Sequence, residues 1–192
     1  IIPKTKDGKR VVLEGGGIET DGKGTMLVTE EWLLSDVQVR NPGLGKADYE
    51  EIFSKYLGIQ KTIWLGHGCV GDDTHGHIDD IARFTENGSV ILAFEDNEAD
   101  ENYDSSLDNY QRLIEAVDAN GKPIKVVKLP YPNPVIFGHE RLPASYANFY
   151  VGNKTVIVPV FNDPKDVVAL TTIAREFPSK QVVGIYCRDL VL

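Results

Sequence analysis

An α/β architecture built from repeated ββαβ modules is predicted by three features of the 192-residue sequence. Short glycine-bearing turns interrupt β-type runs at three places, a helical pattern follows each turn, and an apolar strand closes each unit. The marker residues Gly22, Gly88 and Gly152 stand 66 and 64 residues apart, close to a fixed period. One such module alone would leave its sheet edges bare, so the modules are expected to group into a ring or stack. The alternative is an ordinary mixed α+β sheet whose spacing is coincidental.

The first unit spans about residues 11–65. Its turn, Asp21-Gly22-Lys23-Gly24, separates Gly17–Thr20 from Thr25–Thr29, and a helix then carries Tyr49, Ile52, Phe53, Tyr56 and Leu57 on one face. Gly58 ends that helix, and Lys61–Leu65 reads as a strand. In the second unit, about 77–129, Asn87-Gly88 joins Ile81–Phe84 to Val90–Phe94. Its helix places Leu107, Tyr110, Leu113, Ile114 and Val117 in register, and Ile124–Leu129 closes it. The third, about 146–187, turns at Gly152-Asn153 between Phe149–Val151 and Thr155–Val158. Asp163-Pro164 then supplies an N-cap and first-turn proline for a helix with Leu170, Ile173, Ala174 and Phe177, before a strand at Val182–Cys187.

Composition narrows the function classes. With 42% hydrophobic and 26% charged residues the chain reads as globular, and no apolar run approaches the roughly 20 residues that span a bilayer. The N-terminus lacks the basic, apolar and small-residue order of a signal peptide, so the expected location is cytoplasmic, without a membrane partner. A formal charge of −9 argues against sequence-independent nucleic-acid binding and suits a cationic ligand, although acidity serves solubility equally well. The two cysteines, Cys69 and Cys187, are far apart and lack metal-type spacing. The sequence starts at Ile1 and stops on the apolar run Leu190-Val191-Leu192, and is expected to be a piece of a longer chain.

Chemistry-bearing residues crowd into Asp72-Asp73-Thr74-His75-Gly76-His77-Ile78-Asp79-Asp80, a loop between strands. In an extended segment His77 and Asp79 would share a face, placing a proton-transfer group beside a carboxylate suited to a planar cation. Three readings of this loop stay open from spacing alone: proton transfer, a structural or solvated loop, and a metal site. In the last, His75, His77 and Asp79, with His67 added, would act as ligands of a metal-dependent hydrolase. Glu14 ends an apolar strand before Gly15-Gly16-Gly17, and the glycines permit close approach of a ligand; an exposed strand-end carboxylate is the alternative. The GxGxxG spacing of a dinucleotide loop is absent. Cys187 follows an apolar strand as a small hydrophobe would, and Cys69 has no base specified by spacing.

In combination these segments resemble the family of agmatine deiminase and Porphyromonas-type peptidylarginine deiminase. The resemblance rests on Leu13-Glu14-Gly15-Gly16 with Asp21-Gly22-Lys23-Gly24-Thr25, then Arg40-Asn41-Pro42, Trp64-Leu65 and Asp73-Thr74-x-Gly76-His77-x-Asp79. Arg141-x-Pro143-Ala144-Ser145-Tyr146-x-Asn148-Phe149-Tyr150 completes it, and the motifs run in family order over essentially the whole chain. It implies a pentein-type α/β propeller in which about three of five modules are present. It also implies hydrolysis of a guanidinium to a ureido group through a cysteine thiouronium, with no cofactor and no metal. Glu14 and Asp79 are then the substrate-binding carboxylates, and His77 the acid and base. A non-catalytic guanidinium-binding fragment is the alternative of a different class.

Two departures accompany the resemblance. The family's nucleophile lies in a glycine-rich segment ending His-Cys, which does not occur here, so the 192 residues alone are expected to lack turnover and Cys187 is not assigned as nucleophile. His75 stands where agmatine-processing sequences carry Asn, which leaves agmatine, arginine and peptidyl-arginine open as the small cationic guanidino partner. A homo-oligomer is also left open.

Overall fold

The computed structural model describes residues 2–191. Ile1 and Leu192, the outermost positions of the sequence, lie outside the described residues. Three three-stranded sheets repeat one order. In the first, β1 (Glu19–Thr20) runs antiparallel to β2 (Thr25–Thr29), which runs parallel to β3 (Lys61–Leu65). Between β2 and β3 lie α1 (Glu30–Leu34) and α2 (Lys46–Leu57). The second sheet pairs β4 (Ala82–Phe84), β5 (Val90–Phe94) and β6 (Val126–Pro130) in the same sense, with α3 (Tyr103–Glu115) as the crossover. A short hairpin, β7 (Ile136–Phe137) with β8 (Glu140–Arg141), precedes the third. There β9 (Tyr150–Val151) pairs antiparallel to β10 (Thr155–Val160), which runs parallel to β11 (Gln181–Tyr186), with α4 (Asp166–Glu176) between them.

Each turn falls where glycine spacing places it, and each closing strand falls within two residues of its expected span. The middle strands β2 and β5 are buried along their whole length. Alternation along β2 sends Leu27 into a core shared by all three sheets, while Met26 and Val28 face a second core with Trp32, Tyr49, Ile52 and Phe53. One polypeptide segment therefore bridges both cores.

The helical faces differ in part from their apolar patterns. On α2, Tyr49, Ile52 and Phe53 are buried as expected, but Leu57 is exposed. On α3 the buried residues are Ser106, Asn109 and Leu113, whereas Leu107 and Ile114 are exposed. The reason is specific: the Asn109 side chain accepts from Gly66 N–H (2.7 Å) and donates to the His67 carbonyl (2.8 Å), so the helix is docked by a polar clamp. On α4 the buried set is Ala169, Ile173 and Glu176. That helix begins at Asp166 rather than at Pro164, because Asp163 turns its carboxylate to Lys165 N–H and Asn133 N–H.

Arg83 on β4 ties the three units together. It donates from Nε to Glu19 on β1 (3.0 Å) and from Nη1 to the carbonyls of Ala147 (3.1 Å) and Phe149 (2.6 Å), with its guanidinium over the Phe149 ring. Glu19 also accepts from Phe84 N–H at 2.8 Å. Among the described residues no helix is long and apolar enough to cross a membrane.

Candidate active site

The loop from Asp72 to Asp80 is held by its first carboxylate. Asp72 accepts from the backbone N–H groups of Thr74 (2.8 Å), Gly76 (2.9 Å) and His77 (2.9 Å) and from the Thr74 hydroxyl. Burial works to raise its pKa, but these hydrogen bonds outweigh it and hold the carboxyl below its ordinary range. The chain bends through positive φ at His75 (58°) and Gly76 (92°), and Thr29 Oγ1 donates to the Gly76 carbonyl. His77 then caps a one-turn 3-10 segment, Ile78–Asp80, rather than starting an extended run. The strand-like geometry expected for this stretch is thus replaced by a nest around Asp72.

His77 and Asp79 are nevertheless brought together. A methyl group built at Gly16 would stand 2.7 Å from His77 Nδ1 and 2.9 Å from Asp79 Oδ2, so the glycine backbone packs directly against both. Both residues line a cavity of about 450 Å³ together with Asp72, Asp73 and Asp80, facing a wall formed by Pro143, Tyr150, Ile157, Pro159 and Leu190. Four aspartates and one histidine line this space, without a lysine or arginine. Such a cavity favours a cation with an apolar stem.

Glu14 stands behind His77 and is not part of the cavity lining. Its Oε2 meets His77 Nε2 at 2.7 Å and accepts from the Trp32 indole (2.7 Å), and Arg40 approaches both oxygens at 3.0–3.1 Å. Burial would raise the Glu14 pKa, but hydrogen bonds from Arg40, His77 and Trp32 and the Arg40 charge lower it to about 2. The carboxylate is ionised at every physiological pH. Asp79 behaves oppositely, since burial raises it against the opposing charges of Arg83 and His77.

Asp80, which sequence reasoning did not single out, is buried beside Asp79 and accepts from Asn148 Nδ2 at 2.7 Å. Burial first, and then the Asp79 charge, push its pKa up to about 7. The folded protein therefore holds a proton that the unfolded chain releases near pH 4. Stability contributed by that proton is present in acid and is lost as pH rises to about 7. Asp80→Asn keeps an oxygen for Asn148 and removes the titration. In urea unfolding, the variant is expected to gain on the wild type by on the order of 1–4 kcal/mol between pH 4 and pH 8.

The other sequence candidates do not join the cluster. His75 places Nδ1 3.0 Å from the Asp73 carbonyl, and His67 is exposed near Glu31. Among the described residues no group of three His, Cys, Asp or Glu side chains is arranged to hold a metal ion. Cys69 is buried, and burial pushes its thiol far up. Cys187 is half-buried and lines the cavity, a placement its apolar strand did not foretell.

Residues 2–192 of the sequence match the model of the Porphyromonas-type peptidyl-arginine deiminase family. The chain belongs to that family. A Latilactobacillus sakei protein named "Putative agmatine deiminase" is 40% identical over 95% of this chain and 54% of its own length. The agmatine deiminase of Enterococcus faecalis superposes with a TM-score of 0.86 at 36% identity, covering 94% of this chain and 53% of that one. A variant of the C. jejuni agmatine deiminase with substrate bound gives 0.85 at 31%, covering 94% and 52%. The chain spans about half the length of the relatives it matches. Its fold is that of these pentein deiminases.

Proposed function

We propose that the protein hydrolyses the guanidinium of agmatine to a ureido group, giving N-carbamoylputrescine and ammonia, and that this chain supplies its cation-binding and proton-transfer residues. The observation that carries the reading is the cavity in which His77 and Asp79 meet among four aspartates. Membership in a deiminase family supports the same chemistry. Asp79 grips the guanidinium nitrogens and fixes their plane. Glu14, outside the cavity lining, holds His77 from behind.

In this account a thiolate adds to the guanidinium carbon to form a tetrahedral adduct. His77 gives a proton to one nitrogen, ammonia departs, and a thiouronium remains. His77 then takes a proton from water as the water adds, and the thiolate leaves from the ureido product. Cys69 is too deeply buried to serve, and the thiolate is assigned to a His-Cys segment of the kind the family carries, outside these 192 residues. Turnover by the natural gene product should therefore survive Cys187→Ser.

Agmatine fits better than free arginine because an α-carboxylate would enter a cavity lined by four aspartates and by no lysine or arginine. The departure at His75 does not oppose this. Its side chain lies on the Asp73 carbonyl, outside the cavity lining, and its φ of 58° is a conformation that Asn and His both tolerate better than most residues. Ammonia and ureido product are to be assayed with agmatine, arginine and a peptidyl-arginine. Preference for agmatine supports the proposal, whereas turnover of none, or of arginine alone, overturns it.

The glycine under the pair offers a separate check. Gly16→Ala puts a methyl where His77 and Asp79 now sit, without requiring a new backbone region. Steady-state kinetics should show kcat for agmatine reduced about 10²-fold, with the folded state retained in thermal unfolding.

A further inference from the structure

We propose that Arg40 is a positioning residue of the site, which locks the tautomer and orientation of His77 by gripping Glu14 from the buried side. The proposal rests on the deiminase reading for its kinetic consequences, but not for its geometry. Arg40 is the deeper partner: its side chain is 7% exposed against 36% for Glu14. Nε reaches Glu14 Oε1 at 3.1 Å, Nη2 reaches Oε2 at 3.0 Å, and the remaining donors go to backbone carbonyls. Nη1 takes those of Trp32 (3.4 Å) and Gln38 (3.2 Å), and Nη2 that of Thr74. Gln38 adopts a positive φ of 50° and sends its own amide to the Asp73 carbonyl at 2.8 Å. Residues 11–14 do not form the strand their apolar run predicts; Glu14 sits at the N-cap of the 3-10 turn Gly15–Gly17, and one guanidinium joins that segment to the loop that carries His77.

The consequence for His77 follows from donor and acceptor counting. A carboxylate held ionised can only accept, so at 2.7 Å the proton between Glu14 and His77 belongs to His77 Nε2. Nδ1 is then the nitrogen that takes and returns a proton. The Trp32 indole donates to the same Glu14 oxygen and meets the imidazole edge-on at 6.0 Å between centroids, which limits ring rotation. The charged and titratable groups around Glu14 are Arg40 and His77, with Asp79 and Asp72 next along the loop. A lysine at position 40 keeps one charge but cannot span both carboxylate oxygens and three carbonyls.

The test uses the natural gene product and its Arg40→Lys variant, with two readouts. Imidazole ¹⁵N shifts report the His77 tautomer directly, and the pH dependence of kcat for agmatine reports its effect on turnover. The wild type is expected to show the Nε2–H form wherever the ring is neutral. Arg40→Lys is expected to give a mixture of tautomers, a pH profile different from the wild type's, and kcat lowered about 10²-fold with KM changed less than about 3-fold. A folded Arg40→Lys protein with the wild-type ¹⁵N signature and pH profile overturns the proposal. If that variant does not fold, Glu14→Leu removes the acceptor that Arg40 holds, and an unchanged His77 tautomer there overturns the proposal equally. Because the ¹⁵N readout needs no turnover, failure of agmatine as a substrate leaves this test standing.

Discussion

His77→Ala is expected to lower kcat for agmatine by about 10³-fold, since in the proposed reaction one ring both protonates the departing nitrogen and activates water. The fold should survive, because His77 borders a cavity and its loop is held instead by Asp72 and by Thr29 Oγ1. Thermal unfolding and steady-state kinetics on the same preparation separate the two effects. A rate within 10-fold of wild type would remove His77 from proton transfer.

The largest expected loss of stability comes from Arg83→Ala, far from any apolar core pattern. Arg83 and Glu19 are 16% and 14% exposed, and the substitution leaves Glu19 buried with only the Phe84 N–H while freeing two carbonyls. Breaking a buried pair in this one-sided way costs about 3–5 kcal/mol, read as a lower midpoint in urea unfolding. Burial already raises the Glu19 pKa, so the uncompensated carboxyl should take up a proton more readily still. Arg83→Met, which keeps an apolar stem over Phe149, should lose less.

Local chemistry made the architecture legible and long-range chemistry did not. The turns at Asp21–Gly24, Asn87-Gly88 and Gly152-Asn153 are written in adjacent residues, and each joins the first two strands of a sheet. The short helix α1 was also signalled, by Thr29 before Glu30-Glu31, and Thr29 Oγ1 does accept from Trp32 N–H. Neither that signal nor the Asp72-x-Thr74 turn that organises the site loop shows in hydrophobic periodicity, because both act through a side-chain oxygen on nearby backbone N–H groups. The β7–β8 hairpin was hidden by a stretch that contains Pro130, Pro132 and Pro134.

Within the site, Glu14 and His77 were legible as residues, but their direct pairing across 63 positions was not. Arg40 stood in a motif without a role, because nothing within its own segment indicates that it will reach Glu14, 26 residues earlier. The buried face of α3 was misassigned for a related reason. Asn109 looks like a surface residue until Gly66 and His67 are placed beside it.

The central claim is that a guanidinium cation is held by Asp79 in the cavity it shares with His77. Calorimetric titration of agmatine into the His77→Ala form of the natural gene product, where turnover is slow, tests it most directly. Saturable binding that weakens by about 10²-fold when Asp79→Asn is added is the result predicted, in line with a lost hydrogen bond between charged groups. Equal affinity with and without the Asp79 carboxylate would contradict the account.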